Sequence, residues 1–314
     1  MLFHPLEQKV REGFCWYDQG KRLDEKTLHP SESEDGIRSF QDQQQLVAQL
    51  LGGGRQTAGR SVPVIPISSC RGSFYVPVQG GSTSPLLICF HGTGACAVDY
   101  WEQSLFRLSD AGYRVLMVEY ECCIDSKVPI SKSNIDESVS RCLKQFFNQF
   151  DTLNLSEGII LYGHSLGAVI MLQALDALLR DNVLPTPSGV VFDAGFFSVA
   201  SQALQENSYG KIPYLDQVAS VLGYGWNVKS AIENFAKLTR RMPISFLQIL
   251  REGPTGTGDA KISTEEQERV SVVAREAFPA RFTVCKFPLL HSDHPPYEKI
   301  ENWLKEIPRI PCKK

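Results

Sequence analysis

The chain has 314 residues and a mass of 35.0 kDa, with 43% hydrophobic and 21% charged residues, a balance that excludes a disordered or fibrous chain and allows a sizeable core. A net charge of −3 argues against nucleic acid or another polyanion as partner, and the basic residues form no stripe. The nine cysteines lack the paired CxxC spacing of a zinc site and read as reduced thiols, with the adjacent Cys122 and Cys123 as two small buried hydrophobes.

The first residues, from Met1 to Val10, carry no basic patch followed by an apolar run, so no secretory signal is expected. No apolar stretch approaches the length needed to span a bilayer. In Cys312-Lys313-Lys314 the cysteine stands third from the end, which does not make a prenylation box. The expectation is a soluble, cytoplasmic protein. Residues 1–60, polar and rich in glutamine (Gln41, Gln43, Gln44, Gln45) up to Gly52-Gly53-Gly54, read as an N-terminal extension ahead of a main domain over 61–314.

In that domain, the residues around Val62 to Ile67 and the alternating Ser73-Phe74-Tyr75-Val76 read as the first strands of a sheet. Leu86-Leu87-Ile88-Cys89-Phe90 is a continuous apolar run, as in a strand buried on both faces. A helix is expected over 97–110, a strand over 113–120, and a helix to about Phe150 that Ser133 or Asn134 could cap, with Ile135, Val139, Leu143 and Phe146 on one face. A strand over 158–162, a helix over 166–179 and a strand over 189–192 follow. Residues 196–243, aromatic through Phe196, Phe197, Tyr209, Tyr214, Tyr224, Trp226 and Phe235, break the rhythm and read either as a helical cap over a site or as helices covering a sheet edge. The rhythm resumes with a strand over 244–250, a helix over 264–277 opened by the capping box Ser263-Thr264-Glu265-Glu266, a strand over 282–287 and a helix over 295–307. Strands alternating with helices imply parallel pairing through right-handed crossovers, hence an α/β fold with helices on both sides of the sheet.

A serine hydroxyl needs a base, a group to orient that base, and donors for the oxyanion before it can act as a nucleophile at neutral pH. Gly163-His164-Ser165-Leu166-Gly167 lies between an apolar strand and an apolar helix, the context in which GxSxG places a serine on a strained turn. Ser165 is the candidate nucleophile. His164, its neighbour, is expected to point elsewhere and to be structural. His91-Gly92-Thr93-Gly94 follows the first long strand, and the backbone N–H groups of Thr93 and Leu166 are the expected oxyanion donors. His291, just past the last strand, is the expected base, while His294, before Pro295, suits the start of the last helix. For the acid, Asp259 ranks first, Asp193 at the end of the strand after the nucleophile helix second, and Glu252 third; the loop before Asp259 is long and glycine-rich.

From about residue 74 onward, the order of elements together with His-Gly-x-Gly, GxSxG and the late histidine resembles the α/β-hydrolase superfamily. That resemblance implies a three-layer α/β/α sandwich on a mostly parallel eight-stranded sheet, with a cap insertion, here over 196–243. It also implies carboxylic-ester chemistry without a cofactor. Carried over, Ser165 would be the nucleophile, His291 the base, Thr93 and Leu166 the oxyanion donors, and Asp259 the acid, with Asp193 as its alternative. A small-molecule or lipid ester is the expected partner, and no HExxH, DxDxDG or P-loop sequence points to a metal or nucleotide. The alternatives are a silent hydrolase-fold binding protein, and an adaptor whose aromatic segment and N-terminal arm make a peripheral membrane contact.

Overall fold

The computed structural model describes residues 55–57, 60–62, 64–78, 84–92, 97–101, 105–124, 128, 131–198, 225–238, 244–253, 262–291 and 293–310. A short antiparallel hairpin, β1 (Arg55–Thr57) with β2 (Arg60–Val62), precedes the main sheet. Strands β3 (Ile65–Pro66), β4 (Phe74–Val76), β5 (Leu86–Phe90), β6 (Arg114–Val118), β7 (Ile159–His164), β8 (Gly189–Asp193), β9 (Ser245–Arg251) and β10 (Phe282–Phe287) form one eight-stranded sheet in the order β10-β9-β8-β7-β5-β6-β4-β3. Pairing is parallel from β6 across to β10 and antiparallel where β4 and β3 close the other edge.

The apolar runs become strands that are covered on both faces, and alternate residues divide between two cores as the period of two requires. Leu86, Ile88 and Phe90 of β5, with Ile159 and Leu161 of β7, face a core built from α4 (Lys132–Gln149), α5 (Leu166–Arg180), α6 (Val228–Leu238) and α7 (Thr264–Ala277). Leu87, Cys89, Ile160 and Tyr162 face the opposite core. Its outer wall is Trp101, Leu105 and Leu108 around the short helices α1 (Ala97–Tyr100) and α2 (Phe106–Asp110), with Ile300, Trp303 and Leu304 of α8 (Tyr297–Glu306). One further short helix, α3 (Glu121–Ile124), follows β6. The result is a three-layer α/β/α sandwich.

Local expectations hold with small shifts. The Ser263 hydroxyl accepts from Glu266 N at 3.3 Å and caps α7 as expected. The cap of α4 is Ser131, whose hydroxyl accepts from Asn134 N at 3.2 Å. The cap therefore stands two residues before the first of the expected ones, and Asn134 is the third residue of the first turn, which offers its N–H to the capping side chain. Of the helix expected over 97–110, α1 and α2 are the described parts, and residues 102–104 between them lie outside the described residues. Within 196–243, α6 packs on α5 and α7 as part of the helical layer; residues 199–224, most of the expected cap, lie outside the described residues, as do residues 1–54. No described helix is long and apolar enough to cross a membrane.

The chain runs from β5 to β6 on one side and then returns to β7 on the other. The loops leaving β5 and β7 therefore diverge at the carboxyl edge of the sheet and open a crevice there, the place where open α/β sheets bind ligands.

Candidate active site

Strand β7 ends at His164, and α5 begins at Leu166, so the whole reversal from strand to helix falls on Ser165. Its φ is +54°, in the left-handed region that a side chain with a β-carbon enters at a cost of roughly 1–2 kcal/mol. The bend is held from below by Ser165 N–H, which donates to the carbonyl of Asp193 at the end of β8 (2.9 Å). It is also sterically closed. A Cβ on Gly167 would lie 2.2 Å from the carbonyl oxygen of Phe90, so only glycine lets α5 start this close to β5. A Cβ on Gly92 would stand 3.0 Å from Ser165 Cβ, which locates the loop after β5 directly beside the serine.

The Ser165 hydroxyl lies 2.8 Å from Nε2 of His291, a proton-transfer distance, and both residues are buried. The structure thus brings together the two side chains on which the sequence reading depends. His164, stacked on Tyr100 (5.4 Å between ring centroids, 16° between planes), turns its Nε2 to the carbonyl of His291 at 3.1 Å. A ring nitrogen facing a carbonyl must carry the proton, so His164 acts as a donor that steadies the His291 backbone. The His294 ring lies beside Tyr297 at the mouth of α8.

The backbone of His291 is fixed by a residue that sequence reasoning missed. Arg251, the last residue of β9 and fully buried, donates through Nη1 to the carbonyls of Leu290 (2.9 Å), His291 (3.1 Å) and Asp293 (2.6 Å). Its Nε and Nη2 grip the two oxygens of Asp193 at 2.9 and 2.7 Å, a bidentate fork that lysine could not reproduce. Tyr162 donates to Asp193 Oδ2 (2.7 Å), and Tyr100 lies 3.1 Å from the Tyr162 hydroxyl. Burial pulls the Arg251 guanidinium toward neutrality, but the Asp193 carboxylate outweighs it and holds the pKa above the ordinary arginine value. One guanidinium therefore rivets the end of β8, under the serine, to the loop that carries the histidine. The sequence offered only a charge at the end of each of two strands, Asp193 on β8 and Arg251 on β9, and not that the strands are neighbours.

The geometry bears on the choice of acid. Both oxygens of Asp193 are engaged by Arg251 and Tyr162, and Glu252 pairs with Lys286 at 2.9 Å. Asp259 lies outside the described residues. The start of its loop is nevertheless tied beside the histidine loop, since Glu252 N donates to Phe287 O (2.9 Å) and Gly253 N to Leu289 O (3.1 Å).

Of the two expected oxyanion donors, Leu166 opens α5, where a backbone N–H has no acceptor within its own helix; Thr93 lies outside the described residues. The loop that leads to Thr93 is anchored by His91, buried and in contact with two acceptors: Nδ1 is 2.8 Å from Gly92 O and Nε2 is 2.9 Å from Glu119 Oε1. Glu119 also accepts from Ala97 N (2.8 Å) and Tyr120 N (2.9 Å), and thereby ties both ends of the loop to the end of β6.

Comparison with known proteins agrees with this architecture. A family model described as the alpha/beta hydrolase fold matches residues 85–202, the stretch that holds β5, the elbow and β8. An alpha-beta hydrolase from Vibrio vulnificus superposes with a TM-score of 0.57 at 13% identity, covering 96% of this chain and 92% of that one. An esterase from Pyrococcus furiosus superposes with a TM-score of 0.51 at 14% identity, covering 75% and 85%. No curated protein matches by sequence. With a family model of that fold matching residues 85–202, an eight-stranded, mostly parallel sheet and structural neighbours of the same architecture, the chain has the α/β-hydrolase fold.

Proposed function

We propose that the protein is a serine hydrolase that cleaves carboxylic esters or thioesters through an acyl-enzyme intermediate on Ser165. The observation that carries this reading is the 2.8 Å hydrogen bond from the Ser165 hydroxyl to His291 Nε2 at a residue held with φ +54°. In this mechanism His291 takes the serine proton as Oγ attacks the carbonyl carbon of a small-molecule or lipid ester. The N–H groups of Leu166 and Thr93 receive the oxyanion, and the tetrahedral intermediate collapses as the histidine returns the proton to the leaving alkoxide or thiolate. Water, deprotonated by the same imidazole, then releases the acid. No step calls for a cofactor. Activity on p-nitrophenyl esters and acyl thioesters of graded chain length tests the reading, and failure of every ester and thioester in such a panel would refute it.

Asp259 completes the proposed triad as the group that orients His291. The expected result is that Asp259→Asn lowers kcat by about a thousand-fold or more, the scale of losing the correct imidazole tautomer, while the urea midpoint stays at the wild-type value. Asp193→Asn is expected to do the reverse: it leaves Arg251 buried with half its partner gone, so stability falls, and turnover per folded molecule changes far less. Turnover and unfolding measured on the same two variants check this pair, and a sharp loss of turnover in Asp193→Asn alone would exchange the roles.

A further inference from the structure

Strand β8 ends at Asp193, where Ala194 at φ +48° breaks the extended backbone. Its neighbour β9 runs two residues beyond the pair Asp193–Ile249, to Arg251. Backbone groups alternate between the two sides of a strand. Ile249 O accepts from Ala194 N on the β8 side (3.0 Å) and Glu252 N donates to Phe287 O on the β10 side (2.9 Å), so the N–H and C=O of Arg251 face the side that β8 has left. Buried backbone groups need partners. The side-chain amide of Gln267, on α7 and buried, takes the place of the missing strand: its Oε1 accepts from Arg251 N and its Nε2 donates to Arg251 O, each at 2.9 Å.

The same Nε2 gives its second hydrogen to Ile262 O at 3.2 Å. One amide therefore closes the neck of the segment that leaves β9 after Arg251 and returns at Ile262, just ahead of α7. Residues 254–261 of that segment lie outside the described residues; they include Asp259, three positions before Ile262. Arg251 is also the residue whose guanidinium holds the His291 loop. Gln267 thus ties the support of the base to both ends of the segment that carries the proposed acid. The glutamine is itself held: its N–H donates to Ser263 O (3.2 Å), and its carbonyl accepts from Nε2 of Gln248 on β9 (2.7 Å), whose Oε1 accepts from the Ser271 hydroxyl (2.8 Å).

We propose that Gln267 is a positioning residue for the reaction, which acts through other residues by fixing the arginine support of the His291 loop against both ends of the acid segment. This inference rests on the proposed function, with Asp259 as the acid that orients His291. Glutamine offers one acceptor and two donors from a single planar group. Glutamate, of similar volume, keeps the acceptor for Arg251 N and has no hydrogen for either carbonyl, while methionine has neither. In both replacements the neck of the segment loses its closure, and the acid is no longer held at the distance from the imidazole that proton transfer requires.

The test uses the full chain with isotope-labelled histidine and reads by nuclear magnetic resonance which ring nitrogen of His291 carries the proton at neutral pH, with His291→Ala to assign the signal. An orienting acid holds that proton on Nδ1, so Asp259→Asn should move His291 away from the Nδ1–H form. Gln267→Glu and Gln267→Met should move it the same way and lower kcat per folded molecule by about a hundred-fold, the scale of a ~1 Å misplacement, with KM little changed. Added to Asp259→Asn, neither should lower kcat further. Gln248→Met removes an equally buried amide from the same contact of α7 with β9; it should lower the urea midpoint and leave the tautomer and kcat at their wild-type values. An unchanged tautomer in both Gln267 variants or in Asp259→Asn, the same shift in Gln248→Met, or additive losses of turnover would each overturn the proposal. The tautomer is read without substrate, so a chain that hydrolysed no ester would refute the proposed function while the spectra still decided the role of Gln267.

Discussion

Ser165→Ala is expected to abolish turnover of a p-nitrophenyl ester, lowering kcat by about a million-fold, the scale seen when the nucleophile of a cooperating triad is removed. The loss should fall on kcat and leave the fold intact, because alanine fits wherever the serine Cβ already fits and the bend is held by backbone contacts, Ser165 N to Asp193 O and Ala168 N to Ser165 O. Alanine pays the same left-handed backbone cost as serine at φ +54°, so the unfolding midpoint should move little. Steady-state kinetics beside urea unfolding separates the two effects, and ester hydrolysis retained in the alanine variant would remove Ser165 from the mechanism.

The largest expected effect on stability belongs to Arg251. Replacing it with methionine strands the Asp193 carboxylate, which is fully buried, and leaves three carbonyls of the histidine loop without their donor. Breaking a buried pair from one side costs about 3–5 kcal/mol, so the urea midpoint of Arg251→Met should drop steeply. Adding Asp193→Asn to that variant should recover part of the loss, because the second substitution removes the unpaired charge. Turnover should not recover with it, since His291 still lacks the guanidinium that holds its carbonyl at 3.1 Å. Arg251→Lys is expected to fall between, as a point charge replaces a fork. A double variant that regained turnover in full would mean that Arg251 serves stability alone.

Much of the fold could be read in the sequence because its physics is local. Leu86–Phe90 and Ile159–Tyr162 are apolar without interruption, and a strand of that kind needs cover on both faces. The elbow was legible for the same reason: glycines at 163 and 167 around a serine, set between strand and helix, answer a steric demand that any five-residue window displays. The choice between His291 and His164 followed from position relative to the strands. The Arg251–Asp193–Tyr162 network was not legible, since it joins residues 31 to 89 positions apart through the ends of three adjacent strands, and strand order is a property of the whole sheet. Asp193 ranked as an acid candidate because it closes the strand after the elbow; only its partners reveal that its carboxylate is engaged by an arginine and a tyrosine. Likewise His91 could be read as a loop histidine, but not as the partner of Glu119, 2.9 Å away and 28 positions along the chain.

The arrangement of the site follows from one topological fact. Because β5 pairs directly with β7, the loop carrying Gly92 and the bend carrying Ser165 lie side by side at the carboxyl edge of the sheet. The last strands, β9 and β10, then bring Arg251 and the His291 loop across the end of β8, and the arginine fixes their spacing. Each contributor stands at the end of a rigid strand, which suits groups that must meet within a few tenths of an ångström.

The most direct measurement is labelling of the folded wild-type chain with a fluorophosphonate, followed by mapping of the modified peptide. A hydroxyl made nucleophilic by an adjacent imidazole attacks the phosphorus and retains the adduct, so a single adduct on Ser165 is expected, absent after denaturation and strongly slowed in His291→Ala. No adduct on the folded protein, or an adduct on a different residue, would contradict the account.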